Sequence, residues 1–179
     1  MIVRRATKED ARAIATIRIL TWRAAYDGLI DDTLLDRMDI DREARRRAER
    51  WEEVAADPAA AQLVAEVDGE TVGWASTGRC RDGDASGRGE LYAIYVLPEH
   101  WSTGVGHELI VAAEGALRRA RFTRASLWVL DGNERAASFY ERHGWREDGM
   151  RKEDDRIVGS TGLAPLRENR RVKELAPRS

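Results

Sequence analysis

Cysteine is nearly absent. Cys80 is the single one in 179 residues, which excludes an intramolecular disulfide framework and a multi-cysteine metal site. Proline occurs four times, and two of these, Pro58 and Pro98, fall where a helix and a strand are expected to end. No apolar run approaches the roughly 20 residues of a membrane-spanning helix. No signal-peptide pattern opens the chain either, so a cytoplasmic address is the expectation. Charge of one sign is also missing: 30 Lys and Arg face 32 Asp and Glu, for a formal net charge of −2. Nothing therefore points to a nucleic-acid or membrane partner. Neither repeats nor a linker divide the chain, and its length suits one domain, 1–179. What is present, 42% hydrophobic and 35% charged residues, suits a soluble globular enzyme.

Residues 1–5 read as a short strand. Thr7, with Asp10 three positions on, makes a capping-box start for a helix with Ile14, Ile17, Thr21 and Ala24 as its buried stripe. Arg18, Trp22 and Tyr26 lie four apart on a neighbouring face. Residues 31–41 supply a turn and a short helix carrying Leu34, Leu35 and Met38. Asp41 is placed to cap a helix running to Ala56, with Ala44, Ala48, Trp51 and Ala55 on one side. Its Arg42, Arg45, Arg46, Arg47 and Arg50 alternate with Glu43, Glu49, Glu52 and Glu53, the pattern of a solvated mixed-charge face.

Two β-rich runs, 62–67 and 70–76, flank Asp68-Gly69 as a hairpin. Gly73 inside the second run signals a bulge or a close backbone approach. Residues 82–89 are a polar, glycine-rich loop, and nearby Cys80 has no histidine in a catalytic arrangement. Residues 125–130 form a strand, after which Asn133 caps a helix to His143. Gly144 ends that helix, and His143 reads as a cap at its negative end. Residues 145–150 make another strand and 151–155 a polar stretch. Residues 166–172 are the last strand, dense in arginine and so expected exposed at an edge. A second subunit could pair there to give a homodimer.

The stretch 90–120 organises the rest. Its apolar run, 91–97, stops at Pro98, which cannot donate to a ladder. Gly104 and Gly106 follow, and then Val105, Leu109, Ala113 and Ala116 fall on one helical face. A strand, a glycine loop and a helix start in that order bind an anion: glycines permit close approach, and the first turn's free N–H groups face it. The loop lacks the Gly-Lys-Ser/Thr ending of a triphosphate loop and the third glycine of a dinucleotide fingerprint. Its spacing, Trp101-Ser102-Thr103-Gly104-Val105-Gly106, resembles instead the acetyl-CoA loop of the GNAT superfamily of N-acetyltransferases, Gln/Arg-x-x-Gly-x-Gly/Ala. The likeness includes the preceding Val96-Leu97-Pro98-Glu99 and a second block from Asn133 through Ala136, Phe139 and Tyr140 to Gly144-Trp145.

This resemblance implies an α/β fold of mixed α+β type: a mostly antiparallel twisted sheet splayed between its fourth and fifth strands, with helices on both faces. It implies acetyl-CoA as co-substrate, with the pantetheine arm along Ile94, Tyr95 and Val96. The pyrophosphate is implied to sit on the amides of Trp101, Ser102, Thr103, Gly104, Val105, Gly106 and His107. Asn133, Ala136, Phe139 and Tyr140 would approach from the helix beside the splay. Tyr140 matches the family's usual acid and Glu90 the general base of one branch, water serving in others. Trp22, Tyr26 and Tyr92 would wall the acceptor pocket, and no metal is expected. In one respect the loop departs from the family: Trp101 holds the Gln/Arg position. No Lys or Arg lies between Pro98 and Leu109, which leaves His100 and His107 as the loop's sources of positive charge.

The expected function is a CoA-dependent N-acyltransferase that acetylates a small primary amine. An alkyl ammonium of pKa about 10 must first lose a proton. The oxyanion then needs a hydrogen-bond donor, and the departing thiolate benefits from a proton. A peptide N-terminus or a protein lysine is the alternative acceptor, and a non-catalytic CoA- or metabolite-binding sensor is the competing class.

Overall fold

The computed structural model describes residues 1–84, 87–154 and 165–175. The chain opens with β1 (Ile2–Arg5), α1 (Ala11–Ala25), α2 (Asp32–Asp36), α3 (Ile40–Glu49) and α4 (Trp51–Ala55). There follow β2 (Ala61–Val67), β3 (Glu70–Arg79), β4 (Gly89–Val96) and α5 (Val105–Arg119), then β5 (Arg124–Leu130), α6 (Glu134–Arg142), β6 (Arg146–Asp154) and β7 (Leu166–Glu174). The strands form one sheet of order β1-β2-β3-β4-β5-β7-β6. Neighbours are antiparallel except β4 and β5, which are parallel and pair only at Gly89–Ala125 and Glu90–Ser126. Beyond those two pairs the strands part, and the sheet is split.

Side-chain alternation sends each strand's residues to opposite faces. Leu63, Ala65 and Ala75 pack with Val105, Leu109, Ile110 and Ala113 of α5. On the other face Val64 and Trp74 pack with Ile14 and Ile17 of α1. Two bulges interrupt the alternation in β2–β4, and a wider irregularity falls between Glu147 and Arg151 of β6. Ala65 pairs with Gly73 but Glu66 with Thr71, which makes Val72 an extra residue; Ser76 pairs with Ala93 but Thr77 with Leu91, which does the same for Tyr92. Gly73 also marks a close approach, since a Cβ there would lie 2.7 Å from Leu109 Cδ1.

Asp10 ties the chain's entry into α1 by accepting the Thr7 N–H at 2.7 Å. Several expectations are corrected. Ala24 is exposed, because the end of α1 runs past the sheet and Trp22 takes the buried position. The third helix is capped by Asp39, whose extended backbone lets its carboxylate accept the Arg42 N–H at 2.6 Å; Asp41 pairs with Arg12 instead. The same segment breaks at Arg50 into two helices, α3 and α4. Residues 151–154 continue β6 rather than forming a polar stretch, and residue 155 lies outside the described residues, as do 85 and 86 of the expected loop.

The largest correction concerns the last strand. β7 is interior, inserted between β5 and β6, so the edge pairing expected to form a homodimer there falls away. Its arginines are buried because carboxylates meet them. Arg170, 4% exposed, contacts Asp82, Asp84 and Asp148, and Arg171, 2% exposed, contacts Glu141 and Glu147. The edge on this side is β6, whose charged residues of both signs discourage further pairing. No described helix is long and apolar enough to cross a membrane.

Candidate active site

The split in the sheet exposes backbone. Leu97 donates its N–H to the Val72 carbonyl of β3 at 2.9 Å. By ladder alternation, Val96 and Ile94 turn their polar groups the other way, into the gap. The Val96 carbonyl accepts from Trp101 Nε1 at 2.7 Å and from Thr21 Oγ1 at 3.0 Å. The Val96 N–H and both polar groups of Ile94 remain for a ligand. At the mouth of the gap Gly104, with φ of 96°, caps α5 in a left-handed conformation that suits glycine. The first backward bond there runs from Glu108 N–H to the Gly104 carbonyl at 3.2 Å. The N–H groups of Val105, Gly106 and His107 thus lack helical partners at the positive end of the helix dipole.

A cleft of about 300 Å³ follows this backbone. Of the expected residues, Ile94, Tyr95, Val96, Trp101, Ser102, Gly104, Gly106, His107, Ala136, Phe139 and Tyr140 line it. Thr103, Val105 and Asn133 do not. Thr103 donates its hydroxyl to the His100 carbonyl, Val105 is 1% exposed in the core, and Asn133 accepts the Ala136 N–H as the cap of α6. The bare Cα of Gly106 admits the Phe139 ring, which a Cβ would meet at 3.3 Å.

Thr21, His100, Arg135, Arg142 and His143 line the cleft as well. The fixed positive charge missing from the glycine loop is thus supplied by α6. The Arg135 guanidinium lies over the Trp101 indole, and burial lowers its pKa. His143 does sit at the end of its helix, with Nδ1 donating to the Phe139 carbonyl at 2.8 Å. Its Nε2 lies 3.0 Å from His107 Nδ1, within hydrogen-bond distance. A sequence signal for Arg135 existed, two residues past the Asn133 cap, but nothing local shows that this turn faces Trp101. A narrow gap with free amide groups, leading to unpaired N–H groups beside two arginines, fits an amide-bearing arm attached to phosphates.

Tyr140 is 9% exposed, with Phe139 at 5.4 Å and Trp145 at 6.5 Å between ring centres. No described residue hydrogen-bonds its hydroxyl. Burial pushes its pKa up, and it does the same for Tyr26, where the neighbouring phenols of Tyr95 and Tyr140 add to the effect. Trp22, Ile30, Leu35 and Leu130 form a buried apolar cluster with Tyr26 and Tyr95 packed against it, so the expected acceptor-wall residues Trp22 and Tyr26 lie in packed core and outside the cleft wall. Tyr95 belongs both to this cluster and to the cleft wall.

Two more expected residues stand apart. Tyr92 donates its hydroxyl to the Arg79 carbonyl and lies under the Arg81 guanidinium; burial pushes its pKa up to about 12. Glu90 is 2% exposed, and Arg81 occupies both carboxylate oxygens, through its N–H at 2.9 Å and Nη2 at 2.6 Å. It lies opposite Ser126 where β4 and β5 are still joined, behind the opening and outside the cleft wall. Among the described residues no group of three or more His, Cys, Asp or Glu is arranged to hold a metal.

A family model described as the Acetyltransferase (GNAT) family matches residues 12–145. The mycothiol acetyltransferase of Acidimicrobium ferrooxidans is 38% identical over 150 residues, 84% of this chain and 43% of that protein. The chain therefore spans less than half the length of that relative. The uncharacterized N-acetyltransferase YuaI of Bacillus subtilis is 27% identical over 79% of this chain and 78% of its own. Among solved structures, the PaiA N-acetyltransferase of Thermoplasma acidophilum in complex with coenzyme A superimposes with a TM-score of 0.71 at 18% identity, covering 97% of this chain and 98% of that one. Salmonella typhimurium yncA with acetyl-CoA gives 0.68 at 22% identity, covering 99% and 95%. At those identities the likeness is one of fold. From the sequence match over most of its length, the chain belongs to the GNAT family of acetyltransferases.

Proposed function

We propose that this chain, acting as a single domain, transfers an acetyl group from acetyl-CoA to the primary amine of a small molecule. The observation that carries this reading is the gap between β4 and β5, with a free helix N-terminus at its mouth and Tyr140 in its wall. Ile94 and the Val96 N–H would hold the amides of the pantetheine arm. The N–H groups of Val105, Gly106 and His107, with Arg135 and Arg142, would hold the phosphates. Bound acetyl-CoA supplies an activated thioester carbonyl. Tyr140, kept protonated by burial, is the group that gives a proton to the sulfur as the carbon–sulfur bond breaks. The attacking amine loses its proton to water, because Arg81 already occupies the Glu90 carboxylate.

Similarity to a protein named mycothiol acetyltransferase supports a small molecule as acceptor. Thiol release from acetyl-CoA across an amine panel tests the proposal. Small primary amines should be acetylated faster than peptide N-termini or lysine peptides. Tight acetyl-CoA binding with no turnover on any amine would instead identify a sensor.

A further inference from the structure

The arginine run of α3 has no part in acetyl transfer, and part of it turns inward. Arg47 lies over the Trp74 ring, 4.5 Å from its centre, and borders a second cavity of about 270 Å³ between α3–α4 and the start of the sheet. This cavity shares no wall residue with the cleft at Tyr140. Four cations line it, Arg5, Arg46, Arg47 and Arg50, against one carboxylate, Glu43. Glu43 is already shared among Arg46 at 2.8 Å, Arg47 at 3.0 Å and Arg18 of α1 at 3.3 Å. Arg50 has only an exposed pairing with Glu53, which is weak, and Arg5 forms no ion pair with a described residue.

Arg47 also has a buried Nε that donates to no described residue. Buried guanidinium donors are ordinarily met by protein, water or ligand, and this one is available to an acceptor oxygen. Burial lowers the Arg47 pKa despite Glu43, a cost that a further negative charge would offset. Apart from Gln62, whose amide is bonded to Ser76 and Trp74, the rest of the wall is apolar and includes Trp51, Val54 and Ala60. Such a wall gains nothing from a bare phosphate, whereas a flat or branched hydrocarbon would cover it.

We propose that this cavity binds a small organic carboxylate on a compact apolar or aromatic body, with the carboxylate among Arg5, Arg47 and Arg50 and the body against Trp51. Forked guanidinium donors match the two oxygens of a carboxylate. The site stands independently of the acetyl-transfer reading.

Calorimetry on the full chain tests it, with acetyl-CoA present to occupy the other cleft and with benzoate and inorganic phosphate as separate probes. One benzoate site is expected, with phosphate binding more weakly. Arg5 and Arg50 are exposed, so the double variant Arg5→Ala/Arg50→Ala should keep its melting temperature and its acetyl-CoA affinity. It should lose benzoate affinity by about tenfold or more, as expected for charge-assisted hydrogen bonds. Trp51→Ala should weaken benzoate and spare phosphate. Benzoate binding weaker than about 10 mM, unchanged affinity in the arginine variant, or equal affinity for both probes would overturn the proposal.

Discussion

Tyr140 can be removed from the chemistry without removing it from the packing. Tyr140→Phe keeps the ring against Phe139 and Trp145 and deletes the proton. Steady-state kinetics should show kcat lower by about 10²–10⁴-fold, while calorimetry finds acetyl-CoA affinity unchanged. Full turnover in that variant would take Tyr140 out of the mechanism. Trp101 tests the opposite intuition. From the sequence, restoring arginine at that position promises tighter binding through added charge. In the structure the indole holds the Val96 carbonyl and carries the Arg135 guanidinium. Trp101→Arg would leave that carbonyl to Thr21 alone and set two cations together, so acetyl-CoA should bind about tenfold more weakly, the worth of one such contact. Tighter binding in a titration would show that loop charge outweighs both. At this scale the sequence was legible wherever spacing along one helix or loop suffices, as for Gly104, Phe139 and Tyr140. It was silent on Arg135, and on the engagement of Glu90 by Arg81, because those depend on contacts between distant segments.

Among the elements, β7 was the hardest to place from sequence. A strand with adjacent arginines reads as solvent-facing, since the carboxylates that neutralise them lie on α6, on β6 and in the 82–84 loop. No local pattern brings these together. The hairpin 61–79, by contrast, is written in its Asp68-Gly69 turn, where both residues adopt positive φ. Arg170→Met would take from Asp148 its buried guanidinium partner and leave Asp82 and Asp84 with Arg88 alone. Urea unfolding should show a loss of about 3 kcal/mol, typical of breaking a buried pair from one side. Hydrogen bonding to Arg170, aided by Arg88, holds the Asp84 pKa down at about 2, against an ordinary 3.8. A depressed folded-state pKa contributes stability that is complete above the unfolded value and fades as pH falls through the folded one. Melting temperatures at fixed ionic strength should therefore drop between about pH 4 and pH 2, and Asp84→Asn should flatten part of that drop. Parallel curves for the two proteins would mean that the contact adds nothing.

Taken whole, the molecule follows its hydrophobic pattern closely: two faces of one sheet, each covered by the helix whose apolar stripe was readable. Strand order was less readable, because a chain returning antiparallel can join either side of its neighbour at similar cost. The slit between β4 and β5 has a mechanical meaning as well. Two prongs, β1–β4 and β5–β7, share a short stem at Gly89–Ala125 and Glu90–Ser126, in the manner of a tuning fork. Twisting one prong against the other is resisted only at that stem and by the helices alongside. An extended arm bonded to Ile94 and Val96 would act as a rung between the tips. Acetyl-CoA should then slow amide hydrogen exchange in β5 and β7 as well as at Ile94 and Val96, while leaving β1 unchanged. Exchange slowed only at the residues touched would show two prongs that are stiff without the rung.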